Sequence, residues 1–238
     1  MSDRPVILIT GCNRGLGLEF VAQYAARGWR VIATARNLDD AAELLALAAK
    51  YPNVSVESLD VGDGASIDAA AARHAGTAID VLLNNAGLLG DREKQAFDVL
   101  DYSTFEEVMR VNTYGPLAMA KAFLPHVLAG AQKKIVTITS GLSSITNTRQ
   151  VGRLFFYRIS KAGVNMAMRV MQAELRERGI KVGILAPGMV DTRLFRQGGG
   201  GMPAAVSATQ SVAAVMKHID ELTQDAEIIL YTGEKVPW

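Results

Sequence analysis

Strand-length apolar runs alternate with longer Ala- and Leu-rich amphipathic stretches along the whole chain. This alternation constrains the fold more than any other feature. The runs lie at residues 6–10, 30–35, 54–58, 79–83, 134–139 and 181–186, with a last short one at 227–231. The stretches at 17–27, 39–50, 63–74, 158–178 and 206–222 read as helices, and 104–111 and 116–128 as two helices or one bent unit. Strands that are apolar on both faces belong in a parallel sheet covered by helices on both sides. Right-handed crossovers then wind the chain into an α/β, doubly wound, three-layer sandwich. Asp39 or Asp40 is placed to cap the second helix. No linker is long or polar enough to divide the chain, so residues 1–238 are expected to form a single domain. Its loosest stretch, the four glycines between Gln197 and Met202, reads equally as a lid or as a simple turn.

Charge excludes some classes of partner. The chain carries 25 basic and 24 acidic residues, which leaves no electrostatic footprint for nucleic acid or an anionic membrane. A single cysteine, Cys12, excludes an internal disulfide and a cysteine-cluster metal site, so no metal is expected. The first residues lack the pattern of a secretory signal, and no apolar run approaches the ~18–20 residues of a membrane span. A reducing cytoplasm is the expected location.

The segment Thr10-Gly-Cys-Asn-Arg-Gly-Leu-Gly17 follows the first strand and opens the first helix. Glycines there let the backbone turn tightly and let a pyrophosphate reach the helix N-terminus, where free N–H groups and the helix dipole favour negative charge. The spacing of Gly11, Gly15 and Gly17 resembles the cofactor loop of the short-chain dehydrogenase/reductase family, with Asn13, Arg14 and Leu16 in the same loop. The resemblance implies a Rossmann fold and a nicotinamide dinucleotide. An acidic residue at the end of the second strand would hydrogen-bond the 2′-hydroxyl of NAD. Here Thr34-Ala-Arg-Asn37 offers none. Arg14 and Arg36 fall where a 2′-phosphate would lie, and a guanidinium fork matches a phosphate. They read as an NADP(H) clamp, against the alternative of two solvated arginines.

Further marks of the family follow in its order. Leu59-Asp60-Val61 ends the third strand, and the resemblance places Asp60 at the adenine ring with Val61 beside it. Asn84-Asn85-Ala86-Gly87 ends the fourth strand and resembles the motif that lines the adenosine side. Asn112 lies where the family keeps its catalytic asparagine, Ser140 follows the fifth strand, and Tyr157-Arg-Ile-Ser-Lys161 matches the Tyr-x-x-x-Lys signature. Pro187-Gly188-Met-Val190-Asp-Thr192 matches the segment that holds the nicotinamide carboxamide. Each mark alone has a bland reading, as a turn residue, a strand-end cap or a helix-surface pair.

The implied chemistry is hydride transfer between NADP(H) and a carbonyl or alcohol. Tyr157 and Lys161 share one helix face, and the ammonium is expected to lower the tyrosine pKa toward neutrality for acid–base work. Ser140 would orient the reacting oxygen. Asn112 would hold a water that relays protons from Lys161. The stretch between Ser140 and Tyr157 is longer than is usual in the family. With the Asn-Arg-Gly loop and the ending Tyr-Thr-Gly-Glu-Lys-Val-Pro-Trp, it resembles the branch of Sniffer-type carbonyl reductases and C-factor-like proteins. Residues 141–156 and 193–206 are expected to flank the substrate, an apolar or aromatic ketone, aldehyde or quinone. Leu154, Phe155, Phe156, Phe195, Met189 and Met202 either wall the site or pack the loops. Arg149, Arg153, Arg193 and Arg196 either attract an anion or are solvated. Cys12 is either a reactive thiol or a small buried side chain. The family implies a homodimer or homotetramer built on 116–128 and 158–178, through Ala118, Ala120, Ala122, Ala162, Ala167 and Met168. A nucleotide-binding signalling protein of C-factor type, with little turnover, is the alternative to an enzyme.

Overall fold

The computed structural model describes residues 4–148, 152–192 and 206–238. Among them, seven parallel strands form one sheet in the order β3-β2-β1-β4-β5-β6-β7. The strands are β1 (Val6–Ile9), β2 (Arg30–Ala35), β3 (Val54–Ser58), β4 (Val81–Asn84), β5 (Lys134–Ile138), β6 (Lys181–Ala186) and β7 (Ile228–Leu230). The helices are α1 (Gly15–Ala26), α2 (Ala42–Lys50), α3 (Gly64–Arg73), α4 (Tyr102–Met109), α5 (Gly115–Ala129), α6 (Phe155–Leu175) and α7 (Ala208–Asp220). The fold is thus the α/β doubly wound sandwich expected, a Rossmann-type single domain.

Both faces of the sheet are apolar because both are covered. Ile7 and Ile9 of β1 pack with Phe20, Tyr24 and Met216 under α1, α2 and α7. Their neighbours Val6 and Leu8 point the other way, against Phe123, Val164 and Met168 under α3, α5 and α6. Period-two alternation thus divides one strand between two cores. Strand β1 pairs with β2 on one side and β4 on the other, Ile7 facing Val31 and Val81. The order in which strands are added to the sheet reverses there, and a crevice opens beyond the carboxyl ends of the strands.

Local details differ from the sequence reading. Neither Asp39 nor Asp40 caps α2, which begins after Ala41 with no side-chain cap. The Asp40 carboxylate instead accepts from Asn37 Nδ2 at 3.4 Å. The stretches at 104–111 and 116–128 are one bent unit. A five-residue π turn, Arg110–Tyr114, joins α4 to α5 and carries Asn112. Val206 does not begin the last helix but bridges to Val190, and Ser207 caps α7 by accepting from Gln210 N at 3.2 Å.

Candidate active site

The glycine loop is shaped by its neighbours before any ligand arrives. Thr10 Oγ1 accepts from the main-chain N–H groups of Asn85 and Ala86, each at 3.0 Å. Asn85 Nδ2 returns bonds to Thr10 O at 2.9 Å and Gly11 O at 3.0 Å. The ends of β1 and β4 are thereby locked together. Gly11 takes φ +69°, and a Cβ there would stand 2.7 Å from Ala86 Cα. At Gly17 a Cβ would stand 2.0 Å from Gly11 O, a backbone atom that cannot yield. Helix α1 begins after Arg14 with no side-chain cap, so its first N–H groups face the crevice uncapped. An uncapped helix N-terminus at a glycine turn can receive a phosphate.

The crevice has a volume of about 1070 Å³. Every residue expected to hold a dinucleotide lines it except Gly188 and Val190. At its outer end Arg14 and Arg36 are exposed side chains, joined by Asp40, an acid absent from the sequence reading of this end. Asp60 also lines the wall, and its Oδ1 accepts from Gly62 N at 2.8 Å. Thr192 crosses back to the glycine loop, 3.6 Å from where a Gly15 Cβ would stand. Gly188, at φ +81°, lies against the Tyr231 ring, while Pro187 O accepts from Ser211 Oγ at 2.7 Å.

Tyr157 and Lys161 close the inner end. Both are buried, and the Lys161 ammonium lies 5.9 Å from the Tyr157 ring centre. Nζ donates to Ile138 O at 2.9 Å. The Ser140 hydroxyl lies beside the Tyr157 phenol and favours its phenolate form. Ser140 is itself fixed from behind: its carbonyl accepts from Ser143 Oγ at 2.6 Å, and Ser143 Oγ accepts from Asn165 Nδ2 at 2.8 Å. A Cβ on Gly87 would stand 3.3 Å from Asn112 Oδ1 and 3.5 Å from Lys161 Nζ. The asparagine and the lysine therefore flank one point on the β4 loop. Asn112 is fully buried behind the crevice lining, whereas Ser140 is partly exposed beside it.

This ordered set, a glycine loop locked to the β4 motif with a tyrosine, a lysine and a serine at the far end, matches one family. The family model for short chain dehydrogenase covers residues 5–199. The chain belongs to this family. A relative, C-signal of Myxococcus xanthus, is 35% identical over 162 residues, 67% of this chain and 93% of that protein. Among solved structures, NADPH-bound carbonyl reductase from chicken fatty liver superposes with a TM-score of 0.89, at 34% identity over 99% of this chain and all of that one. Carbonyl reductase Sniffer of D. melanogaster gives 0.86 at 28% identity over the same shares.

The structure corrects several details of the short-chain dehydrogenase reading. Burial pushes the Tyr157 pKa up, with the Ser140 hydrogen bond opposing it. The expected shift toward neutrality is absent because both groups are desolvated. Burial pulls Lys161 down to about 8. The Asn112 amide is already engaged, Oδ1 with Leu88 N at 2.9 Å and Nδ2 with Leu88 O at 2.8 Å and Ser160 Oγ at 3.0 Å. It works as a clamp between the loop after β4 and α6. Phe155 and Phe156 do not line this crevice; Phe155 packs tilted against Phe97 at 5.8 Å and Phe156 edge-on against Phe105 at 5.2 Å. Cys12 is fully buried, donates to Ile9 O at 3.1 Å, and is pushed up to about 12 by burial, so it is not a reactive thiol. Arg149, Arg193, Phe195, Arg196, Met202 and the glycine run lie outside the described residues.

Some contributors had no signal in the sequence. Thr146 N and Oγ1 both donate to Trp238 O, at 2.9 and 2.6 Å, so the last residue pins the long loop after Ser140. Gln95, fully buried, accepts from Tyr157 N at 2.9 Å. Ser160 lies inside the Tyr-x-x-x-Lys signature, where a small polar residue facing the core could have been noticed. No helix among the described residues is long and apolar enough to cross a membrane.

Proposed function

We propose that this oxidoreductase is an NADP(H)-dependent carbonyl reductase, acting on an apolar or aromatic ketone, aldehyde or quinone. The observation that carries this reading is the convergence of Tyr157, Ser140 and Lys161 at the inner end of a crevice whose outer end holds two arginines. NADPH, when bound, supplies the hydride. The Tyr157 phenol, held protonated by burial, gives its proton to the carbonyl oxygen as that oxygen gains charge. Ser140 Oγ donates a hydrogen bond to the same oxygen and orients it. Lys161 binds the ribose hydroxyls next to the nicotinamide. Pro187 and Thr192 hold the carboxamide end from β6. Exposed Leu142 and Ile145, on the loop after Ser140, offer apolar contact to the substrate.

Arg14 and Arg36 are proposed to grip the 2′-phosphate. Titration followed by nicotinamide fluorescence is expected to show NADPH binding at least about tenfold tighter than NADH. The Arg14→Ala/Arg36→Ala double variant should abolish that preference. Equal affinities for the two cofactors in the unaltered protein would remove the clamp. A signalling role with little turnover is the second reading, favoured by the similarity to C-signal.

A homodimer or homotetramer is proposed to form on α5 and α6. Ala120 and Met168 are spent in the core, and Ala118, Ala122 and Ala167 pack against it. The exposed apolar residues on that face are instead Leu117, Ile159, Met166 and Val170, with Tyr114 beside them. Sedimentation is expected to show a species of at least twice the chain mass, and Met166→Glu to shift it toward monomer. A monomer at micromolar concentration would remove the proposal.

A further inference from the structure

Gln95 closes the short helical turn Glu93–Gln95 and is fully buried. A buried amide is destabilising unless its hydrogen bonds are made. Here they are made on every side. Nε2 donates to Leu89 O at 2.8 Å and to Asp91 O at 3.1 Å. Oε1 accepts from the main-chain N–H of Tyr157 at 2.9 Å. That N–H lies in the first turn of α6, where no intrahelical acceptor exists. Leu154 opens the helix in a left-handed conformation, φ 61°, and provides no side-chain cap. Gln95 supplies the missing acceptor from 62 residues away.

The carbonyl of the same residue is held too. Tyr157 O accepts from Ser160 Oγ at 2.8 Å, and that oxygen accepts from Asn112 Nδ2 at 3.0 Å. Asn112 in turn brackets Leu88 through both its N–H and its C=O. The bonds form a ring that runs from Tyr157 N–H through Gln95, residues 88–91, Asn112 and Ser160 back to Tyr157 C=O. Residues 88–91 line the crevice. The catalytic helix and the cofactor wall are therefore tied by one side-chain amide on one side and one on the other.

We propose that Gln95 is a positioning residue for Tyr157, fixing its main chain against the cofactor-lining segment 88–91. The kinetic consequence rests on the carbonyl reductase reading; the clip itself rests on geometry alone. A phenol that must meet a carbonyl oxygen tolerates little misplacement, and a shift of about 1 Å can lower the rate ~10²-fold. The test is Gln95→Met, which keeps length and apolar bulk and removes all three bonds. Hydrogen exchange of the Tyr157 amide, read in the full chain without cofactor, is expected to accelerate about tenfold or more. The kcat for carbonyl reduction should fall about tenfold or more, with the NADPH Kd changed by less than about threefold. Unchanged exchange at Tyr157 overturns the proposal, as does a loss of NADPH affinity equal to the loss of kcat, which would make Gln95 a support of the crevice wall. If the unaltered protein shows no turnover, the carbonyl reductase reading fails and the exchange result still decides the clip. Should Gln95→Met not fold, Gln95→Glu replaces it, because the oxygen facing Tyr157 is kept. Tyr157 exchange within about threefold of the unaltered protein at about pH 6, where a buried carboxyl is protonated, then supports the proposal. Faster exchange overturns it.

Discussion

Tyr157→Phe is expected to lower kcat for carbonyl reduction by about 10²- to 10⁴-fold, the range that a positioned general acid contributes. The substitution removes one hydroxyl and leaves the ring packed in its buried site. NADPH affinity should stay within about threefold, since the phosphate-binding end of the crevice is untouched. Melting should change little, because Ser140 Oγ keeps its bond from Leu142 N at 3.2 Å. The pH dependence carries a sign. Burial raises the tyrosine pKa, so the phenol stays protonated through neutral pH. Reduction, which needs the phenol, should persist through neutral pH and decline only on the alkaline side. Oxidation of the alcohol, which needs the phenolate, should rise over that same range. Steady-state rates in both directions, with cofactor binding measured by fluorescence, check all of this. A Phe variant with a rate near that of the unaltered protein would remove Tyr157 as the acid. A signalling protein with little turnover predicts a biological effect that survives the substitution.

The sequence showed most clearly those features that local physics writes locally. Alternation of apolar runs and amphipathic stretches revealed the sheet and its two covered faces, because each strand must satisfy both cores. The glycines at 11 and 17 were legible for a backbone reason: a Cβ at either would strike main-chain atoms across the turn. Burial was not legible in the same way. Spacing puts Tyr157 and Lys161 on one helix face, but says nothing about how much water reaches them, and desolvation decides the direction of both pKa shifts. Gln95 was invisible for a different reason. A glutamine in an irregular stretch has no periodicity, and its role exists only because the fold brings residue 157 to it. The aromatic pair at 155–156 was ambiguous because a loop can turn either way. Its rings found Phe97, in an irregular stretch, and Phe105, on α4, and nothing in the local sequence says which partners a loop will meet.

Lys161→Met is expected to stabilise the cofactor-free protein while removing its activity. The side chain is 5% exposed, and within the described residues its ammonium donates one hydrogen bond, to Ile138 O. Burial lowers its pKa from 10.5 to about 8. In the unfolded chain the lysine keeps its proton up to its ordinary value of about 10.4. Between those values the unfolded state binds more protons, so stability rises with pH across that window. Below it both states are protonated, and the native state carries the full penalty of a buried charge, on the order of 3 kcal/mol. Methionine has similar length and no charge, and it forfeits the bond to Ile138 O, worth about 1 kcal/mol. The net gain at neutral pH is on the order of 2 kcal/mol, or a rise in Tm of roughly 4–8 °C for a chain of this size. The gap should shrink as pH rises from about 8 toward 10.5, because the lysine then sheds its proton and its penalty. Melting followed at neutral and alkaline pH reads both the gain and its decay. A Met variant less stable at neutral pH, or a gap indifferent to pH, would show that the lysine is held for packing. The expected result would show the reverse: a charge kept at the inner end of the crevice against the stability of the fold, which only its use there explains.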